Sequence, residues 1–138
     1  LNLSTEALTS ITFNVPTPIL GTFTASELQH FDSPANGQLR HLGKDPREYL
    51  VNFDFVLEGG ANDDYKLELV VNDGSDTVVY SQTRVINNVV GGRNVAFYTG
   101  GVNIILNQNN YCFWQVTNLS DGTNCTLEID SSFTVNVR

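Results

Sequence analysis

The chain has 138 residues, 41% hydrophobic and only 16% charged, which suits one domain with a workable core. Seven basic residues against fifteen acidic ones give a net charge of −8, which argues against nucleic acid, because phosphate contacts need clustered Lys and Arg. No apolar run approaches the ~20 residues of a membrane-spanning helix, and two cysteines are too few for a disulfide scaffold.

The first 47 residues are the least regular. Ile11, Phe13 and Val15 alternate and predict a short strand ended by Pro16 and Pro18. Thr24-Ala-Ser-Glu27 matches a capping box, but Phe31, Pro34 and Gly37 follow so soon that one helical turn at most is expected. His30 and Asp32 would share a strand face, and His41 is the third residue that would complete a metal set. Surface or structural histidines are the more ordinary reading, so no metal ligand is assigned.

From position 48 the period is two. Tyr49, Val51, Phe53, Phe55 and Leu57 share one face; Leu50, Asn52, Asp54 and Val56 share the other, which is mixed rather than polar. Gly59 to Asp63 is a turn. The stretch LELVVNDGSDTVVY, residues 67 to 80, alternates on both sides of Asn72-Asp73-Gly74 and predicts a hairpin. Tyr65, Leu67, Leu69 and Val71 are expected to align with Val78 and Tyr80 on its inner face. Lys66, Glu68, Val70, Thr77, Val79 and Ser81 are expected outside, and a loop of two or four residues gives the same assignment.

Further on, Gly91-Gly92 and Gly100-Gly101 punctuate a strand region containing Val95, Phe97, Val102, Ile104 and Leu106. After a polar turn at 107–110, Tyr111 to Val116 form an aromatic strand with Cys112, Trp114 and Val116 on one face. Beyond the turn NLSDGTN come Leu127 and Ile129, then Phe133, Val135 and Val137 in strict alternation. A hairpin centred near Asp121 places Cys112 opposite position 130, so buried free thiols are expected at Cys112 and Cys125.

Enzyme chemistry is not expected, since no nucleophile elbow, zincin or P-loop motif occurs. Asp63-Asp64 and Asp73/Asp76 read as solvated turn acids. Calcium is the alternative there, on oxygen chemistry alone and without an EF-hand pattern. Trp114 reads as core before it reads as a sugar-stacking ring. The sequons at Asn2, Asn118 and Asn124 matter only for a secreted eukaryotic protein. Many short strands joined by Gly/Asn turns predict an all-β antiparallel sandwich or jelly roll. Residues 1–138 form one domain, with 1–20 an N-terminal arm or anchor. The expected core is Phe53, Phe55, Leu67, Leu69, Tyr80, Val135 and Val137.

The order of these features resembles the TNF/C1q-like jelly-roll domains of bacteriophage virion proteins. The resemblance rests on Asn36-Gly37-Gln38-Leu39, on the long strand from Tyr49 to Leu57, and on Leu106, Asn109, Asn110 and Tyr111 stepping into a strand closed by Asn118-Leu-Ser120. It covers roughly residues 20 to 138, with Asn110 where Asp is common; His30, His41 and the two cysteines have no counterpart in it.

The resemblance implies a homotrimer. In such trimers the sheet holding the third and last strands faces the threefold axis, which would place Leu50, Asn52, Asp54, Val56, Thr134 and Asn136 at the interface. It also implies a non-enzymatic decoration (cement) protein on the capsid surface of a virion, assembled in the host cytoplasm and bound to the major capsid protein or other virion subunits. Val70 and Val79 would then be a docking surface worth about 1–3 kcal/mol if buried, unless valine's β-propensity alone explains them. The alternative is the receptor-recognising tip of a tail or head fibre, reading a host-surface glycan. A fibre tip is expected to follow a long shaft of heptads or repeats, which favours the decoration protein.

Overall fold

The computed structural model describes residues 2–3, 7–19, 23–24, 30–34, 37–128 and 131–137. Fourteen strands occur among them: β1 (Asn2–Leu3), β2 (Ala7–Thr9), β3 (Thr17–Pro18), β4 (Phe23–Thr24), β5 (Phe31–Asp32), β6 (Leu39–His41), β7 (Arg47–Glu58), β8 (Asp64–Asn72), β9 (Asp76–Val85), β10 (Asn88–Val90), β11 (Arg93–Leu106), β12 (Tyr111–Asn118), β13 (Cys125–Leu127) and β14 (Ser132–Val137). One sheet runs β10-β11-β7-β14-β1-β4, with β13 joining β7 to β2. The other runs β5-β6-β12-β8-β9, with β3 added to β12. These pairs are antiparallel, and the two sheets enclose one core. The all-β jelly-roll expectation is met.

The period-two reading of β7 holds residue by residue. Tyr49, Val51, Phe53, Phe55 and Leu57 are buried, while Leu50, Asn52, Asp54 and Val56 are half-buried or exposed on the opposite face. The buried rings converge on Trp114, whose centroid lies 4.7 Å from Phe53 and 5.1 Å from Phe55. Edge-on and tilted pairs of this kind add about 0.5–1.5 kcal/mol each beyond area burial, so Trp114 is a core residue. Tyr80 and Val135 pack against this core from its margin; the side chain of Val137 lies outside the described ones.

Gly100 and Gly101 do not interrupt β11, which passes through both. A Cβ at Gly100 would stand 3.0 Å from the Phe53 ring, so the glycine leaves room for that ring rather than ending the strand. Cys112 and Cys125 are free and buried in opposite sheets. Burial pushes both thiols up to about 12.

Three expectations are corrected. Residues 11 to 15 form a turn rather than a strand: Asn14 has a φ of 59° and its N–H donates to the Asn118 carbonyl, and Phe13 and Val15 are exposed. The strand comes later, where Thr17–Pro18 pairs with β12. Of the expected N-terminal arm, Asn2–Leu3 and Ala7–Thr9 are laid against β14 and β13 as strands of the sandwich.

The third correction concerns the hairpin. Asn72 pairs with Asp76, so the loop is Asp73-Gly74-Ser75, three residues long, with Gly74 at a φ of +111°. An odd loop reverses the face assignment, and a bulge at Leu69/Val70 restores it, so Tyr80 still lies opposite Leu69. Between loop and bulge the assignment fails. Val78 lies opposite Val70 and is 47% exposed, whereas Val70 is 0% exposed. Of the expected capping box, Thr24 lies in β4, and residues 25–27 lie outside the described ones.

Candidate functional site

The outer face of the first sheet is assembled from β7, β11 and β14. Leu50 lies between Asn103 and Asn136, and Asn52 between Gly101 and Thr134. Asp54 lies between Thr99 and Ser132, and Val56 beside Phe97. The six residues expected at a trimer interface therefore do share one face. Sequence reasoning missed the contribution of β11. Phe97, Thr99, Gly101, Asn103 and Ile105 alternate outward, and Phe97 is 46% and Ile105 65% exposed. That alternation was readable in the sequence, but Gly100-Gly101 suggested a break. Around the adjoining edge, Val85, Val89 and Val90 are also exposed, and a cavity of about 370 Å³ opens between Arg84-Val85, Asn87-Asn88 and Phe97.

The outer face of the second sheet is finished differently. Val70 and Phe113 are buried there, paired across the ladder, and Val78 flanks Val70 on the other side. Val70 is therefore not available to a partner, and of the expected docking pair only Val79 is exposed. The buried Glu68 carboxylate receives Lys66 Nζ at 3.1 Å and the Gln115 amide at 2.8 Å. Towards the hairpin loop the face is hollowed into a cavity of about 300 Å³, bounded by Tyr111 and Phe113, by Asn72 and Asp76, by Gln38, and by Pro18-Ile19.

The titratable clusters serve the fold. Asp32 is held by the Arg40 guanidinium, whose Nε donates at 2.8 Å and which lowers the carboxyl's pKa. His41 is buried: Nδ1 faces the Tyr49 hydroxyl at 2.9 Å and Nε2 the Asp45 carbonyl at 3.1 Å. His30 is exposed with a φ of 65° and lies outside β5, so His30, Asp32 and His41 do not converge. Among the described residues no three His, Cys, Asp or Glu side chains are grouped to hold a metal.

Asn118, itself buried, anchors the following loop: its Oδ1 accepts from the N–H groups of Ser120 and Asp121, and its Nδ2 donates to Asp63 and Asp121. Burial raises the Asp63 carboxyl, while the Thr123 backbone N–H lowers that of Asp121. Burial also raises Glu128, with a hydrogen bond donated by its protonated carboxyl to Glu58 adding to it and Arg93 opposing it.

No protein-family model and no curated protein matches the sequence. Solved structures do match the fold. Murine APRIL at pH 8.0 superposes with a TM-score of 0.58 at 14% identity, over 94% of this chain and 97% of that one. The structure of Eiger TNF from S. frugiperda superposes with a TM-score of 0.54 at 10% identity, over 99% and 92%. At these identities the likeness is one of fold, and it defines the chain as a TNF-like jelly-roll β-sandwich.

Proposed function

We propose that the chain is a subunit of a homotrimeric, non-enzymatic virion structural protein, a capsid decoration protein attached to a phage head. The observation that carries the trimer is the outer face of the β7-containing sheet. Phe97 and Ile105 stand uncovered there beside half-buried Leu50 and Val56, interleaved with small uncharged groups at Thr99, Gly101, Asn103 and Thr134. With Asp54 set among Thr99 and Ser132 and Glu48 beside Ile105 as its exposed acids, a face of apolar groups with flat small residues between them suits burial against identical copies. The virion assignment rests on the resemblance of Asn36 to Leu39 and Leu106 to Ser120 to phage jelly rolls. Light scattering tests the trimer: three times the 15.2 kDa chain mass is expected at micromolar concentration, and a clean monomer overturns it. Adding the purified protein to phage heads stripped of their decoration tests the role. Saturable binding is expected, and no binding overturns it.

A second reading, a fibre tip that recognises a host glycan, is favoured by one observation. The sheet that would face away from the threefold axis carries the ligand-sized hollow at Tyr111 and Asp76.

A further inference from the structure

We infer that the hollow on the β12–β8–β9 face is a binding site for one unit of an uncharged saccharide. All its walls belong to one chain, so the inference holds for monomer and trimer alike, and for either role of the protein.

The site is built by the ladder. Tyr111 lies opposite Asn72, and Asn72 opposite Asp76, which sets the three side chains in one row across three strands. With strands about 4.8 Å apart, the row is about 10 Å long. Tyr111 and Phe113 point the same way from alternate positions of β12, their rings 6.1 Å apart and inclined by 34°. Phe113 is seated on Val70 and scarcely exposed, whereas Tyr111 is half-exposed and offers its ring to the cavity. Such a ring presents a negative π face to the polarised C–H face of a pyranose. The buried Val70, which serves no docking role, thus has one here as the support beneath the aromatic wall.

The polar side is preorganised. Gly74 N–H donates to Asn72 Oδ1 at 3.1 Å, and Asn72 Nδ2 donates to Asp76 Oδ1 at 2.6 Å. Both groups are fixed before any ligand arrives, and the second carboxylate oxygen of Asp76 is left to accept from a hydroxyl. Gln38, across the hollow, supplies an amide that both donates and accepts. A cavity of about 300 Å³ with an apolar wall and a few convergent polar groups lies at the lower end of the range for small-ligand sites.

Charge selects the class. Among the described residues no Lys or Arg lines the hollow, and the nearest cation on the row, Arg40 opposite Tyr111, is occupied by Asp32. A carboxylate-bearing or sulfated sugar would meet Asp76 without a counter-charge. Charge thus disfavours anionic sugars, and a carboxylate and an amide that pair with hydroxyls beside an aromatic wall suit a neutral hydroxylated ring.

The test is a backbone amide NMR titration of the ¹⁵N-labelled protein with glucose, galactose, mannose, N-acetylglucosamine and lactose, and with sialyllactose for comparison. At least one neutral sugar should shift Asn72, Gly74, Asp76 and Tyr111 at millimolar concentration, and sialyllactose should bind no better than lactose. Tyr111→Ala and Asp76→Ala, both at accessible positions, should each weaken binding by about tenfold, the worth of one well-placed ring or hydrogen bond. The inference is overturned by silence with all five neutral sugars, by shifts that map elsewhere, by preference for sialyllactose, or by undiminished binding in Tyr111→Ala. Because the readout does not depend on trimer or capsid, its failure is separate from a failure of the decoration role, although it would remove the observation that favours the fibre tip.

Discussion

The two sheets share a core, yet their outer faces are finished in opposite ways. On the β7 sheet, Leu50 has Asn103 and Asn136 for cross-strand neighbours, and Ile105 lies beside Glu48, so apolar side chains stay partly uncovered. On the β8 sheet, Val70 is flanked by Phe113 and Val78, and Glu68 by Lys66 and Gln115. That face covers Val70, Phe113 and Glu68, with Val78 left exposed on β9 and a hollow at one end. The open face is the one on which the proposed trimer is built.

The largest expected effect comes from breaking the closed face. Val70→Asp should cost at least about 3 kcal/mol in urea denaturation, because a carboxylate would be buried without a partner. A cost near that of a surface substitution would show that Val70 is not sealed between its neighbours.

On the open face the same kind of change should act on assembly instead. Val56→Asp and Ile105→Asp should each preserve the far-UV spectrum but raise the trimer dissociation constant by about a hundredfold, through unpaired charge in the interface. Light scattering across a dilution series reads this, and trimers that persist at the wild-type constant would reject the face.

Acidity sharpens the contrast more gently. Asp63 and Glu128 have carboxyls raised chiefly by burial, so the folded state holds their protons more tightly than the unfolded chain. Their contribution is present at low pH and is lost as pH rises from about 4 through the raised values. Asp32 and Asp121 are lowered, by Arg40 and by the Thr123 backbone N–H, so their contribution is lost as pH falls below about 4. On these groups denaturation midpoints should therefore peak at about pH 4. Asp63→Asn should flatten the decline on the alkaline side of that peak; an unchanged slope would clear Asp63 of the effect.

The smallest effect is expected at Val79, where replacement by Ser should move stability by less than about 0.5 kcal/mol. With Val70 sealed beneath the surface, Val79→Ser should also leave occupancy on phage heads unchanged. Reduced occupancy with an intact trimer would restore Val79 to the docking surface.

Alternation made most of the fold legible. Tyr49 to Leu57 and Cys112 to Val116 announce their buried faces because a strand turns each side chain over, and a two-sheet sandwich has one interior to receive them. The shared outer face of β7 and β14 was legible for the same reason. The hairpin was legible as a hairpin but not in its register: Asn72-Asp73-Gly74 allows loops of two, three or four residues, and the bulge that compensates an odd loop leaves no mark in the pattern. The hollow at Tyr111 was not legible at all, since Gln38, Asn72, Asp76 and Tyr111 lie far apart in sequence and meet only through strand pairing.

The sequence by itself determined the all-β class, the pairing faces of the long strands and the acidic net charge, because these follow from local periodicity and from summed charge. Tertiary structure alone decided which valine of the hairpin is sealed and which is exposed. It also decided that Gly100 admits a ring instead of ending a strand, that His41 belongs to Tyr49 rather than to Asp32, and that one outer face closes while the other stays open. Each of these depends on which residue a neighbouring strand or sheet places opposite, a relation set by register and packing across the whole sandwich rather than by any stretch of chain.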